Sequence, residues 1–102
     1  TMIQAGFYSA ALAYLNAVKA AGTDDADKVM AQLKATKWDD PIFGKSWIRP
    51  DGRKMHDMYL FEVKSPAESK GPWDYYKQLA TIPADEAFRP IDQGGCPMIK
   101  KN

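Results

Sequence analysis

The chain has 102 residues, is 45% hydrophobic, and sets 14 basic against 13 acidic residues for a net charge of +1. That size suits one small globular domain or a piece of a larger one, and the balanced charge gives no electrostatic footing for nucleic acid or an anionic membrane. No apolar stretch reaches the ~18 to 20 residues that span a bilayer, and the N-terminal segment lacks the basic start of a signal peptide, an absence that carries meaning only if Thr1 is the true start.

From Ile3 to Ala21, the residues Ile3, Phe7, Ala11, Tyr14, Leu15 and Val18 recur at intervals of three and four, which predicts an amphipathic helix stopped by Gly22. Its alanines add propensity and leave a smooth surface for close packing. Tyr14 is expected to pack at the core boundary. Thr23-Asp24-Asp25-Ala26-Asp27 reads as the start of a second helix, with a cap and first-turn carboxylates where the macrodipole favours them. Metal binding by Asp24, Asp25 and Asp27 is the weaker reading, because Thr36 or a later residue stands where a calcium loop needs its closing Glu. This second helix carries Ala26, Val29, Met30 and Leu33 on one stripe and ends near Thr36.

Residues 37–45 contain Trp38, Pro41, Ile42 and Phe43, too apolar for a free linker and expected as a connector packed over a downstream hairpin. Within it Asp39 and Asp40 read as turn residues. Arg49-Pro50-Asp51-Gly52 places Pro where φ must be near −65° and Gly just beyond, so the β-hairpin is expected between Ser46-Trp47-Ile48 and the strand His56 to Val63. Met58, Leu60 and Glu62 alternate with Tyr59, Phe61 and Val63, so both faces of that strand call for cover. A chain of ~100 residues does not readily supply the layers needed.

Residues 64–72 form a surface loop rich in Ser, Pro, Lys and Gly. Residues 73–82 fit both a strand and one helical face, with extended structure ending at Pro83 preferred. Pro83 to Phe88 suits one helical turn, in which Asp85 and Glu86 are first-turn acids, and an irregular tail is expected from Arg89. The lone Cys96 is a small hydrophobe, a reactive group, or half of a bridge whose partner lies elsewhere. A catalytic role would need a base, and the single histidine, His56, stands forty residues away. The sequence has no glycine-rich phosphate loop, Cys/His metal spacing or Ser-His-Asp set, so neither a catalytic residue, a metal site nor a cofactor is expected. Composition and spacing alone lead to an α+β domain or fragment that is not an enzyme: two helices, a central β-hairpin and an extended or irregular C-terminal part.

Several stretches together resemble the C-terminal portion of the branched-chain amino-acid binding proteins, the periplasmic or lipid-anchored receptors of ABC importers. They are Gly6-Phe7-Tyr8-Ser9-Ala10-Ala11, Asp27-Lys28-Val29-Met30, Ile48-Arg49-Pro50-Asp51-Gly52-Arg53 and His56 to Val63. Trp73-Asp74-Tyr75-Tyr76, Ile82-Pro83-Ala84-Asp85-Glu86-Ala87-Phe88 and Gly95-Cys96-Pro97 continue the likeness, which covers essentially the whole chain. The resemblance implies that residues 1–102 are a single fragment of a longer protein with a two-lobed α/β periplasmic-binding-protein type I fold. In it the strand His56 to Val63 would lie at or near the last crossover between lobes. It implies a small-molecule ligand, a hydrophobic or branched-chain amino acid or related carboxylate or amide, and an ABC permease as partner. Tyr8 is the residue carried over as ligand-binding, with a packed aromatic as its other reading, and Cys96 would pair with a cysteine in the absent segment, as an oxidising periplasm allows. A ligand-sensing regulatory domain of the same fold is the alternative function. The apolar strand faces further predict that the isolated fragment self-associates.

Overall fold

The structure, a computed structural model, describes residues 2–97 and 99. Helix α1 (Met2–Ala21) and helix α2 (Ala26–Ala35) are followed by strands β1 (Lys37–Asp40), β2 (Gly44–Ile48) and β3 (Lys54–Met55), which form one antiparallel sheet in chain order. Strands β4 (Met58–Val63) and β5 (Tyr76–Ile82) form a separate antiparallel ribbon. A single-turn helix α3 (Ala84–Ala87) and a 3-10 turn at Ile91–Gln93 are the last regular elements among the described residues.

The helix limits follow from local chemistry. Gly22 takes φ +67°, and its N–H bonds the Val18 carbonyl at 2.9 Å, closing α1 in the left-handed conformation that glycine adopts without strain. Asp25 caps α2 by accepting the Lys28 N–H at 3.1 Å. At the far end, the Thr36 hydroxyl donates to the Gln32 carbonyl at 2.8 Å while Thr36 itself turns extended, so the chain passes directly into β1. Helix α1 packs along α2, and α2 rests on β2.

Three expectations change. The apolar stripe of α1 faces outward: Ile3 is 81% exposed, Phe7 78% and Leu15 60%, and Tyr14 is exposed as well. The side facing the body is Ser9, Ala13 and Ala17, spaced by one helical turn and small enough for close approach to the neighbouring helix. Residues 37–45 are a strand and its turn, with Lys37 opposite Trp47 and Asp40 opposite Gly44. The expected central hairpin is divided between the two sheets. The turn after β2 returns only the two residues of β3, placing Trp47 opposite Met55, whereas β4 pairs with β5 from Met58/Ile82 to Val63/Tyr76.

His56 and Asp57 cause that division. The His56 ring lies 4.4 Å from the Phe43 ring and 5.6 Å, edge-on, from Phe88, and the Asp57 carboxylate accepts the Ala84 N–H at 3.0 Å. Both side chains are thereby committed to contacts with other segments, and the ladder starts afresh at Met58. The same contacts close the base of the ribbon, since β4 begins one residue after Asp57 and β5 ends one residue before Pro83.

The turn before β3 holds as the sequence foretells: Gly52 sits at φ +86°, where a Cβ would be strained, and its N–H bonds the Arg49 carbonyl at 2.8 Å. Arg49 grips Asp51 through two hydrogen bonds of 3.1 and 2.7 Å and reaches the Arg89 carbonyl at 2.9 Å, so the tail is tied to the sheet.

The helices and the sheet meet at a polar contact. Asp40, expected as a turn residue, does hold its turn: one carboxylate oxygen accepts the N–H groups of Ile42 and Phe43 at 2.9 and 3.0 Å. The other oxygen accepts from the Ser9 hydroxyl and from Lys54 Nζ, the latter at 3.0 Å, while Lys54 also donates to Ser9. The Asp40 side chain is 1% exposed, and Ser9 as a residue is equally hidden. Burial alone would raise the Asp40 pKa, yet the bonds from Ser9, the two backbone N–H groups and Lys54 outweigh it and hold the carboxyl far below the usual range.

Because the folded pKa is depressed, ionised Asp40 contributes stability that is complete above the unfolded value near pH ~4 and is lost as pH falls below it. The urea midpoint of the chain should therefore exceed that of Asp40→Asn most clearly at pH 6, with the gap narrowing steadily towards pH 2; a gap independent of pH would refute the assignment. Lys54→Met should cost about 3 kcal/mol, because it strands a buried carboxylate beside Ser9. At the ribbon base, Asp57→Ala should lower local stability by about 1 kcal/mol and hasten hydrogen exchange at the Ala84 amide while sparing the α1 amides.

Candidate functional site

Tyr8 lies in the second turn of α1 and is 55% exposed. Successive helical residues point about 100° apart, so once Ser9 is drawn inward to Asp40, Tyr8 turns outward beside Phe7. The network thus fixes the rotation of α1 that presents the phenol. Within the described residues Tyr8 stands on the outer face of α1, so neither of its readings, a ligand contact or a packed aromatic, is completed by this chain alone.

The second surface is the ribbon, in which every residue of β4 and β5 is exposed. One face carries an aromatic ladder, with the rings of Tyr59 and Phe61 6.2 Å apart and those of Phe61 and Tyr76 6.0 Å apart. Met58 opposite Ile82 and Leu60 opposite Ala80 supply the aliphatic pairs. A register shift between Leu60 and Phe61 leaves Leu79 as an extra residue, the signature of a β-bulge that bends and twists its strand. At the tip, Asp74 binds Lys64 Nζ at 2.6 Å and the Lys70 N–H at 2.9 Å, and these bonds hold the Asp74 carboxyl below its ordinary value. Two-stranded ribbons are at best marginal alone in water, and contiguous apolar surface of this kind marks an interface.

Besides a depression of about 310 Å³ over Trp38, Lys45 and Trp47 on β1 and β2, two lie where the sheet region meets the helices and the tail. One, of about 80 Å³, lies between α1, α2 and Trp38 and is lined by Ala13, Ala17, Ala20 and Leu33. It falls well short of the ~300 to 1,000 Å³ of small-molecule sites. The other, of about 690 Å³, is open and polar, and lies between the β2–β3 turn and the tail. Cys96 borders it, half-buried and with a free thiol. No cluster of three His, Cys, Asp or Glu that could hold a metal, and no helix long and apolar enough to cross a membrane, occurs among the described residues.

The structure does not bring Tyr8 and Cys96 together: one lies on α1, the other beyond the sheet in the tail. The Ser9–Asp40–Lys54 network, which orients α1, corresponds to no sequence motif; its members are 31, 14 and 45 residues apart. The one local signal was Asp40 immediately before Pro41, which does report the turn.

The periplasmic binding protein family profile matches residues 1–72. Among solved structures, a periplasmic binding protein from Burkholderia mallei is 56% identical, with a TM-score of 0.85 over 91% of this chain and 24% of its own. A branched chain amino acid ABC transporter periplasmic ligand-binding protein from Burkholderia xenovorans is 49% identical, with a TM-score of 0.90 over 96% of this chain and 26% of its own. No curated protein sequence matches significantly. The chain thus spans about a quarter of the length of these two structures. The family match over more than two thirds of the chain agrees with the two solved structures, and the chain belongs to the periplasmic binding protein family.

Proposed function

We propose that the chain is the C-terminal portion of an extracytoplasmic solute receptor, not of an enzyme, which captures a hydrophobic or branched-chain amino acid, or a related small carboxylate or amide, and delivers it to an ABC permease. The observation that carries this reading is the 49% identity over 96% of the chain to a branched chain amino acid ABC transporter periplasmic ligand-binding protein. The exposed ribbon supports it, because strands crossing between two lobes would be covered by neighbours from both. The clasp of Asp57 on Ala84 and the His56 wedge then sit where the crossing strands leave the body, and lobe closure about such segments would trap the ligand. Tyr8 contributes to the ligand-facing wall. Cys96 forms a disulfide with a cysteine outside residues 1–102 in the oxidising periplasm.

Calorimetry of the longer polypeptide against leucine, isoleucine, valine and phenylalanine should show saturable binding, weakened about tenfold by Tyr8→Ala and left alone by Tyr14→Ala. The 102-residue chain should give no heat above background at millimolar ligand, since one part of one wall lacks the convergent polar groups that fix a zwitterion. Micromolar binding by the short chain would show instead that the site is complete within it.

For Cys96, the short chain carrying Cys96→Ser should keep its thermal midpoint under reducing conditions to within about 0.5 kcal/mol. Non-reducing peptide mapping of the longer polypeptide should recover Cys96 in a cross-linked pair. A free, alkylatable thiol in the longer polypeptide would remove the bridge from the proposal.

A further inference from the structure

We propose that the open depression between the β2–β3 turn and the tail is a binding site for an oxyanion, a carboxylate or phosphate group, held by Arg53 and Arg89. This site is independent of the receptor reading. Segments distant in sequence build it: the turn from Arg49 to Lys54, then Arg89, then Gly94 and Cys96. Its volume of about 690 Å³ lies within the ~300 to 1,000 Å³ of small-molecule sites.

Four of the lining residues carry a cationic side chain and one, Asp51, an anionic one. Two of the cations already have partners: Arg49 is paired with Asp51, and Lys54 with Asp40. Arg53 and Arg89 have no ion pair among the described residues. For a chain whose net charge is +1, two arginines without an ion pair lining one depression are a local excess of positive charge.

The arrangement is also held in place. The Arg53 guanidinium lies 5.3 Å from the centre of the Phe88 ring, and Arg49 fixes the Arg89 carbonyl at 2.9 Å, keeping the tail beside the turn. Planar guanidiniums offer paired N–H groups that match the oxygens of carboxylate and phosphate, whereas a neutral group would leave both charges unanswered. The anion has two sources: a dissolved ion, or an acidic side chain of the longer polypeptide, this chain being 24% to 26% of its solved relatives.

The test follows the arginine Nε–H resonances of the 102-residue chain during titration with inorganic phosphate at constant ionic strength. Saturating shifts are expected at Arg53 and Arg89. Arg53→Gln and Arg89→Gln should each weaken binding at least about fivefold, while Lys70→Gln, on the ribbon loop, should not. Circular dichroism confirms that each variant keeps its fold. Shifts that never saturate, or binding indifferent to both arginine variants, overturn the proposal. The same titration in the longer polypeptide separates the sources. Retained phosphate binding assigns a dissolved anion. Blocked binding, with Arg53→Glu and Arg89→Glu lowering Tm in the longer polypeptide but not in the short chain, assigns an internal acid. Blocked binding without that difference overturns the proposal.

Discussion

A single buried carboxylate organises the body of this chain. Asp40 is the point at which α1, β1 and β3 converge, through Ser9 and Lys54, and its second oxygen holds the turn into β2. A charge in so dry a place is costly unless every lone pair is engaged. Here four donors supply that engagement, two of them backbone N–H groups that the turn would otherwise leave open. The arrangement therefore specifies geometry more than it adds net energy. An apolar contact could slide along α1, whereas the Ser9 hydroxyl meets Asp40 at only one rotation and one height of the helix. Both the outward face of α1 and the position of Tyr8 follow from that restriction.

Around this point the apolar core is small. Ala17, Val29, Met55 and Ala84 are the buried hydrophobic residues, and eighteen large hydrophobic side chains are exposed among the described residues. Burying one Val or Met side chain contributes about 1.5 to 3 kcal/mol, so a core of this size is modest against the conformational entropy of ordering the chain. The imbalance sits mainly on the ribbon and the outer face of α1, the surfaces that contact with further protein would cover.

Much of the local structure was legible in the sequence. The limits of α1 and α2 were readable from Gly22 and from the Asp25 cap, because caps act through neighbouring residues. The extended nature of residues 76–82 and the helical turn after Pro83 followed from β-propensity and from proline at a helix start. What escaped was everything set by residues far apart. The apolar positions of α1 have a helical period, but period cannot tell a face turned to this body from one turned to other protein, and the inward face is small and partly polar. The partner of β4 was misassigned because a strand apolar on both faces carries no alternation to specify its neighbour. Here the commitments of His56 and Asp57 decided the outcome. At the level of function, the motifs carried the family, while Asp40 and Lys54, which fix the pose of α1, stand in no recognisable pattern.

The strand order carries a kinetic consequence. Each strand pairs only with its neighbour in the chain, and although the ribbon closes over the longer loop of residues 64–75, closure entropy grows only slowly with loop length, so every ladder joins consecutive strands at modest cost. The side-chain hydrogen bonds that span the longest sequence separations among the described residues are Ser9 to Asp40 and Lys54, Arg49 to the Arg89 carbonyl and Asp57 to Ala84. Low contact order favours rapid formation of the separate hairpins and of α2. Their mutual docking is the step that depends on a handful of polar contacts. Folding speed and final registration are thus governed by different residues: turn and cap residues set the first, and Ser9, Asp40 and Lys54 set the second.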